Sequence, residues 1–96
     1  MQLQTGTLYG VVVFDQEVPL AGATVTLVSG DGGAARTQAT DQEGGFRFAG
    51  LMPGSYGVQA AFEGFVTMEY PNIMVGPGSN IDLRVVMVAA VEDARG

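Results

Sequence analysis

The sequence predicts an all-β protein, a seven-stranded antiparallel Greek-key sandwich. Two observations predict this fold. Apolar and polar residues alternate along most of the 96-residue chain, and a helical period is nearly absent. Clusters of glycine, proline, asparagine and aspartate, including 15 glycines, interrupt the alternation at short intervals. At 47% hydrophobic residues the chain has apolar side chains for one core, and its length favours one domain.

The predicted strands follow one another between short turns. In chain order they cover residues 7–14, 23–29, 35–40, 45–49, 55–62, 65–70 and 80–90. Residues 30–33 form a flexible hairpin loop, and Asp41 opens a tight hairpin turn before Gly44. Pro71 ends the sixth strand because proline cannot donate to a central ladder, so residues 73–75 resume it at a sheet edge.

Side-chain alternation assigns the core of this sandwich. The predicted inward residues are Leu8, Gly10, Val12, Ala23, Val25, Leu27, Phe46, Phe48, Tyr56, Val58, Ala60, Phe65, Ile81, Leu83, Val85 and Met87. Full burial of a large apolar side chain contributes ~1.5 to 3 kcal/mol, so a dozen of them can offset the entropy of ordering the chain. We expect the domain to fold alone.

The pattern divides the chain into a flexible lead at residues 1–5, one domain at residues 6–90 and a charged tail or linker start at residues 91–96. The N-terminus lacks a basic region followed by an apolar one, so we expect no signal peptide in this chain. The longest nearly uncharged apolar stretch, residues 85–91, is far shorter than the ~20 residues of a membrane-spanning helix. We expect no membrane insertion.

Composition excludes several functions. A formal net charge of -6 repels nucleic-acid phosphates and anionic lipid surfaces. The chain contains no cysteine, histidine, lysine or tryptophan, which removes thiolate nucleophiles, the commonest general base and metal ligand, and the Schiff-base amine. We therefore predict a non-catalytic domain that requires no cofactor.

Three ordered motifs carry a family resemblance over residues 6–88. They are the apolar opening of residues 10–12 with Pro-Leu-Ala-Gly-Ala at 19–23, the run from Thr40 and Asp41 through Phe46, Phe48 and Pro53 to Tyr56, and Glu-Gly-Phe at 63–65. The chain resembles the carboxypeptidase regulatory-like family in these motifs. It departs at Phe14, where the family often has Asp, and at Glu17, where the first hairpin usually has Gly, so we expect a reshaped turn there.

The resemblance implies a prealbumin-like, or transthyretin-like, sandwich in which the first and last strands are neighbours. Such modules occur in secreted metallocarboxypeptidases, at the N-termini of outer-membrane TonB-dependent receptors and in other extracytoplasmic bacterial proteins. It therefore implies an extracytoplasmic location: periplasmic, outer-membrane-associated or secreted. Two related activities lack their residues here: without lysine there is no Lys-Asn isopeptide bond, and without histidine no hydroxyisourate hydrolase site.

Acidic turns supply the weak candidates for calcium, which favours six to eight oxygen ligands. These candidates are Asp15, Glu17, Asp31, Asp41 and Glu43. Their spacing does not fit an EF-hand, and Asp in a turn ordinarily accepts hydrogen bonds from its own backbone, so solvated structural turns are the favoured interpretation. A carbohydrate- or calcium-binding module is the alternative function, which thermal melting with and without ligand distinguishes.

Other charged residues also favour structural roles. Asp41 and Glu43 form the nearest carboxylate pair, yet two residues in one turn give no evidence of a catalytic cleft. Arg47 and Arg84 lie between inward apolar residues and point outward, where a cross-strand carboxylate partner is expected for each.

The first and last strands are apolar on both faces, which predicts an exposed patch for partner contact. Its residues are Tyr9, Val11, Val13, Val86 and Val88, and Phe62, Met68 and Tyr70 could extend it. Two plainer interpretations stay open: the loop at residues 71–78 covers the patch, or the valines only satisfy β propensity. The leading hypothesis is an accessory module, a monomer or weak homodimer, that docks neighbouring domains or a protein partner.

Overall fold

The computed structural model describes residues 4–30 and 35–90 as two β-sheets packed against each other. The strands are β1 (Gly6–Phe14), β2 (Val18–Pro19), β3 (Thr24–Ser29), β4 (Arg36–Ala39), β5 (Gly45–Leu51), β6 (Gly54–Ala61), β7 (Met68–Val75) and β8 (Asn80–Met87). The all-β sandwich is confirmed, and the two-residue β2 raises the predicted seven strands to eight. Within the described ranges there is no helix that could cross a membrane.

Sheet A contains β2, β1, β5 and β8, and sheet B has the order β4-β3-β6-β7. In sheet A, β1 is central: β5 and β2 pair with one side of it, and β8 pairs with the other along its length. The β1–β8 pair is parallel, whereas all other strand pairs are antiparallel. The expected neighbourhood of the first and last strands is therefore confirmed.

Gly10 allows β1 and β8 to approach closely. A Cβ built on Gly10 would meet the backbone carbonyl of Leu83 and lie 3.0 Å from the Phe46 ring. A strand glycine without this contact would only weaken the sheet, since glycine loses more conformational freedom on folding than other residues. The absence of a side chain at Gly10 thus has a packing reason.

The hairpin turn predicted at residues 41–44 instead connects the two sheets, as does the turn at residues 52–53. Residues 41–44 join β4 in sheet B to β5 in sheet A, and residues 52–53 join β5 to β6 in sheet B. Strand alternation is the same on either side of a hairpin or an inter-sheet connection, so the sequence could not distinguish them. The β3–β4 hairpin is confirmed by its antiparallel pairing, while residues 31–34 of its loop lie outside the described residues.

Pro71 lies inside β7, which continues from Met68 to Val75. The pairing with β6 shifts register at this point, between Val58↔Tyr70 and Tyr56↔Ile73, so the ladder is interrupted at Pro71 although the strand is not. The strand is at the edge of sheet B, as predicted for residues 73–75. The predicted strand start at Phe65 is wrong: Phe65 forms an isolated bridge with Ala89, because the chain leaves β8 after Met87 and follows residues 64–66.

The core is the one that alternation predicts, with additions. Partly buried Tyr56, Phe65, Ile81 and Leu83 pack against it from the predicted set. Apart from glycines, the sequence missed five buried residues, four apolar and one polar: Val13, Leu20, Leu51, Val75 and Thr40. The hydroxyl of Thr40 accepts from the Ala23 N–H at 2.9 Å and donates to the Leu20 carbonyl at 2.6 Å, which satisfies it inside the protein.

The two departures from the family pattern have separate structural outcomes. Phe14 stacks edge-on against Phe65 with ring centroids 5.2 Å apart, so it joins the aromatic group between the sheets. Glu17 keeps a left-handed backbone at φ 72° although it has a side chain, and Asp15 and Gln16 before it are also left-handed. Non-glycine residues adopt this region at a cost of about 1 kcal/mol or more each.

Candidate interaction surface

The outer face of sheet A carries the predicted partner surface. The strand register places Tyr9 between Arg47 and Asp82, and Val11 between Gly45 and Arg84. Four of the five predicted residues are exposed: Tyr9 at 40%, Val11 at 37%, Val86 at 46% and Val88 at 57%. We call these four side chains the outer patch. Their exposure was predicted correctly from alternation; their contact with a partner stays a prediction.

Val13 does not belong to this surface. It is only 6% exposed, so its expected place in an exposed patch was wrong. The register sets Val13 between Val86 of β8 and Pro19 of β2, and the sequence had treated Pro19 as part of a turn. Val13 thus has apolar side chains on both sides, whereas Gly45 beside Val11 has no side chain, and the sequence pattern of β1 alone could not show this difference.

Charged side chains border the outer patch. Arg84 forms an ion pair with Glu17, so it has a carboxylate partner as expected, but this partner lies in a turn and not on the neighbouring strand, where Val11 is opposite Arg84. Glu17 lies in the β1–β2 turn, so the ion pair crosses β1 on the outer face. Among the described residues Arg47 has no ion-pair partner, and its backbone N–H instead donates to Gln38 Oε1 at 2.6 Å.

One further residue joins the surface and three expected ones do not. Val66 is exposed, and its N–H donates to the Val88 carbonyl at 2.8 Å, which places it beside the outer patch. Phe62, Met68 and Tyr70 are partly buried against the core, so they do not extend the patch. Residues 71–75 belong to β7 in sheet B, so this part of the loop that might have covered the patch lies elsewhere.

The acidic turns are not gathered into one site. Among the described residues no group of three or more acidic side chains could hold a metal ion. Asp41 Oδ1 accepts from the N–H groups of Glu43 at 2.9 Å and Gly45 at 2.7 Å, as expected for an Asx turn. Glu17 is paired with Arg84, and Asp31 lies outside the described residues.

An open hollow of about 540 Å³ lies at the end of the sandwich where β3, β5 and β6 meet. Its largest polar side chains already have partners in the chain. Arg36 Nη1 donates to the Ala49 carbonyl at 2.7 Å, and the Tyr56 hydroxyl donates to the Met52 carbonyl at 2.5 Å. Both side chains are thus held by backbone carbonyls of the chain itself, a structural role that gives the carbohydrate hypothesis no positive support.

Comparison with solved structures shows the same class of fold in varied proteins. The minor pilin of Streptococcus agalactiae matches with TM-score 0.74 and 18% identity over 94% of this chain and 47% of that one. A cohesin–X-dockerin complex of Acetivibrio cellulolyticus matches with TM-score 0.68 and 23% identity, over 86% of this chain and 57% of that one. The 3-chlorocatechol 1,2-dioxygenase of Rhodococcus opacus matches with TM-score 0.71 and 13% identity, over 93% of this chain and 62% of that one. This chain thus spans about half of the pilin.

These matches define the fold, a small β-sandwich domain that forms part of longer chains. The family model of the carboxypeptidase regulatory-like domain matches residues 7–88. The chain therefore belongs to the carboxypeptidase regulatory-like domain family. A sequence search of curated proteins gave no match.

Proposed function

We propose that this chain is a non-catalytic accessory module of a larger extracytoplasmic protein and that the outer patch docks a neighbouring domain or a protein partner. The observation that carries the proposal is the exposure of Tyr9, Val11 and Val86 on one face of sheet A, with exposed Val88 directly after the end of β8. Contiguous apolar side chains are rarely left exposed on a soluble domain unless another surface contacts them.

The relatives support a role within an assembly. The family is a regulatory-like domain, and two solved structures with this fold come from a pilin and from a cohesin–X-dockerin complex. In both, the matching region is only part of a longer chain. A domain joined to others in this way gains from a surface that fixes its position against a neighbour.

The composition and geometry support the absence of catalysis. The chain lacks histidine, lysine and cysteine, and no three of its described acidic side chains form a group that could hold a metal ion. The fold also occurs in a dioxygenase, but at 13% identity this likeness concerns the fold alone, and unrelated activities are built on one fold. Docking therefore accounts for the exposed surface more economically than an active site would.

Hydroxyl-radical footprinting tests the docking surface at Tyr9, which is oxidisable and central to the outer patch. The isolated domain is compared with the intact host polypeptide on the cells that produce it. We expect Tyr9 to be modified severalfold more slowly in the host polypeptide, while exposed Met74 on β7 is modified equally in both. Equal modification of Tyr9 in both forms would refute docking through this face.

Substitutions distinguish docking through the outer patch from a general shielding of Tyr9 in the host polypeptide. The pair Val11→Lys and Val86→Lys should restore Tyr9 modification in the host polypeptide, because charge opposes burial of the patch. Surface changes of this kind alter the free energy of unfolding by about 0.5 kcal/mol each, so the domain should still melt cooperatively. Val28→Lys, at an exposed valine of sheet B, is the matched control and should leave Tyr9 protected.

A further inference from the structure

The free edge of β5 is closed by side chains of β4. The backbone N–H of Arg47 donates to Gln38 Oε1 at 2.6 Å, and the Ala49 carbonyl accepts from Arg36 Nη1 at 2.7 Å. At the start of the strand, Gly45 donates to Asp41 Oδ1 at 2.7 Å. Three of the backbone groups that another strand would need on this edge are therefore engaged within the chain, which disfavours strand addition here.

Both edges of sheet B carry features that limit strand addition. β7 contains Pro71, which has no N–H, followed by Asn72 with a left-handed φ of 63°. β4, at the opposite edge, is only four residues long. Proline, local backbone distortion and short length are the common means by which proteins prevent edge pairing.

The edge formed by β8 has none of these features. It is eight residues long without proline or glycine, and no described residue hydrogen-bonds to its outer side. The Leu83 carbonyl is directed at Gly10 of β1, so alternation turns the N–H and C=O groups of Asp82 and Arg84 away from the sheet. The described chain after β8 follows residues 64–66 instead of folding back over this edge.

The charges on β8 are complementary to themselves. Two antiparallel copies of β8 can pair their outward backbone groups with the two-fold axis at residue 82, 83 or 84. An axis at Asp82 sets that carboxylate against its own copy, and an axis at Arg84 sets guanidinium against guanidinium. An axis at Leu83 sets Asp82 opposite Arg84 of the second copy, twice, and like charges directly opposite are destabilising.

We propose that a second copy of this chain adds to the β8 edge, antiparallel and with Leu83 on the two-fold axis. The two copies of sheet A then form one continuous sheet with two Asp82–Arg84 pairs on its outer face. Ile81 and Leu83, which are only partly buried in the single chain, gain contacts across the junction. This goes beyond the docking function, because it uses the strand edge and not the outer patch.

Charge reversal tests the register through sedimentation equilibrium at low salt. Asp82→Arg and Arg84→Asp should each weaken dimerisation by about tenfold or more, because each puts two like-charge pairs across the axis. The double variant Asp82→Arg/Arg84→Asp should regain most of the lost affinity. Equal losses in the double and single variants, or a wild-type chain that stays monomeric at millimolar concentration, would overturn the proposal.

Glu17 and Val11 supply the controls. In the single chain Arg84 is paired with Glu17, so Glu17→Gln releases the guanidinium for Asp82 of the second copy and should tighten the dimer. A weaker dimer for Glu17→Gln would contradict the cross-copy pair. Val11→Ser changes the outer patch without adding a charge beside Arg84 and should leave the dissociation constant within about twofold, so failure of docking and failure of edge pairing give different results.

Discussion

The two edges of sheet A differ in what surrounds them. At the β5 edge, Gln38 and Arg36 of sheet B reach across and bind the outward backbone groups of Arg47 and Ala49. At the β8 edge, no described residue makes an equivalent hydrogen bond, although β7 of sheet B contacts β8. In sheet A, whether an edge strand can pair with another strand thus depends less on its own residues than on the side chains that reach it from the opposite sheet.

This difference separates an edge that serves the fold from an edge that is open to a partner. The β5 edge serves the fold, since side chains of the same chain hydrogen-bond to it. The open edge borders the outer patch, so Val86 on β8 belongs to the exposed face while the backbone beside it is unpaired. Both proposed contacts therefore fall on the same side of the molecule.

The largest expected effect comes from the attachment of β8 itself. Gly10→Ala places a Cβ against the Leu83 carbonyl and the Phe46 ring, so β1 and β8 must separate. We expect a loss of about 3 kcal/mol in the free energy of unfolding, measured by urea denaturation, as for an overpacked core.

Gly57→Ala is the matched control for this change, because its Cβ would lie 3.9 Å from Pro71 Cα and from the Tyr70 carbonyl oxygen, in ordinary contact. It should alter stability by less than about 1 kcal/mol. A Gly10→Ala domain as stable as the Gly57→Ala domain would show that β1 and β8 do not depend on this close approach.

The closed edge can be opened by removing its side-chain donors and acceptors. Arg36→Ala with Gln38→Ala leaves the Arg47 N–H and the Ala49 carbonyl without protein partners and should cost about 1 kcal/mol per hydrogen bond. In an Asp82→Arg background, which blocks the β8 edge, the pair should also create new concentration-dependent association, seen by light scattering.

Thr37→Ala, at an exposed position between the two closing residues, should produce neither effect. If the Arg36→Ala/Gln38→Ala domain stayed monomeric and fully stable, the closed and open edges would be equivalent in solution.

The smallest expected effect concerns the turn that holds Arg84. Glu17→Gly relieves a left-handed backbone at φ 72° but removes an exposed ion pair, and the strain should outweigh the pair by about 0.5 kcal/mol. Thermal unfolding should therefore show a slightly higher melting temperature.

Glu17→Gln removes the ion pair and keeps the backbone strain, so it should melt slightly below the wild type. The difference between the two variants measures the cost of the turn backbone alone. A Glu17→Gly domain less stable than the Glu17→Gln domain would mean that this turn is not strained.

Local patterns account for most of the fold and for part of the surface. Alternation located the strands and the inward residues, and it placed Tyr9, Val11, Val86 and Val88 outside. It failed at Val13, whose burial depends on β2 and β8, and at the two inter-sheet turns. Alternation shows only which face of its strand a side chain lies on, and it says nothing about which strand lies beside it.

The residues of the family motifs lie in the core and the turns, so the resemblance predicted the fold better than it predicted the surface that contacts a partner. Phe46 and Phe48 are in the core, Asp41 holds its own turn, and Thr40 and Tyr56 hydrogen-bond to nearby backbone carbonyls. Each of these residues serves the sandwich. None of them lies in the outer patch or on β8.

By itself the sequence determined that strands form, which side chains lie inside them and which chemistries the chain lacks, because these follow from local periodicity and residue type. Only the tertiary structure decided that β8 runs parallel to β1, that Val13 is covered and that one edge is closed while the other is open. These properties depend on contacts between residues far apart in the chain, such as Gln38 with Arg47 or Glu17 with Arg84, whose proximity exists only after the two sheets have packed.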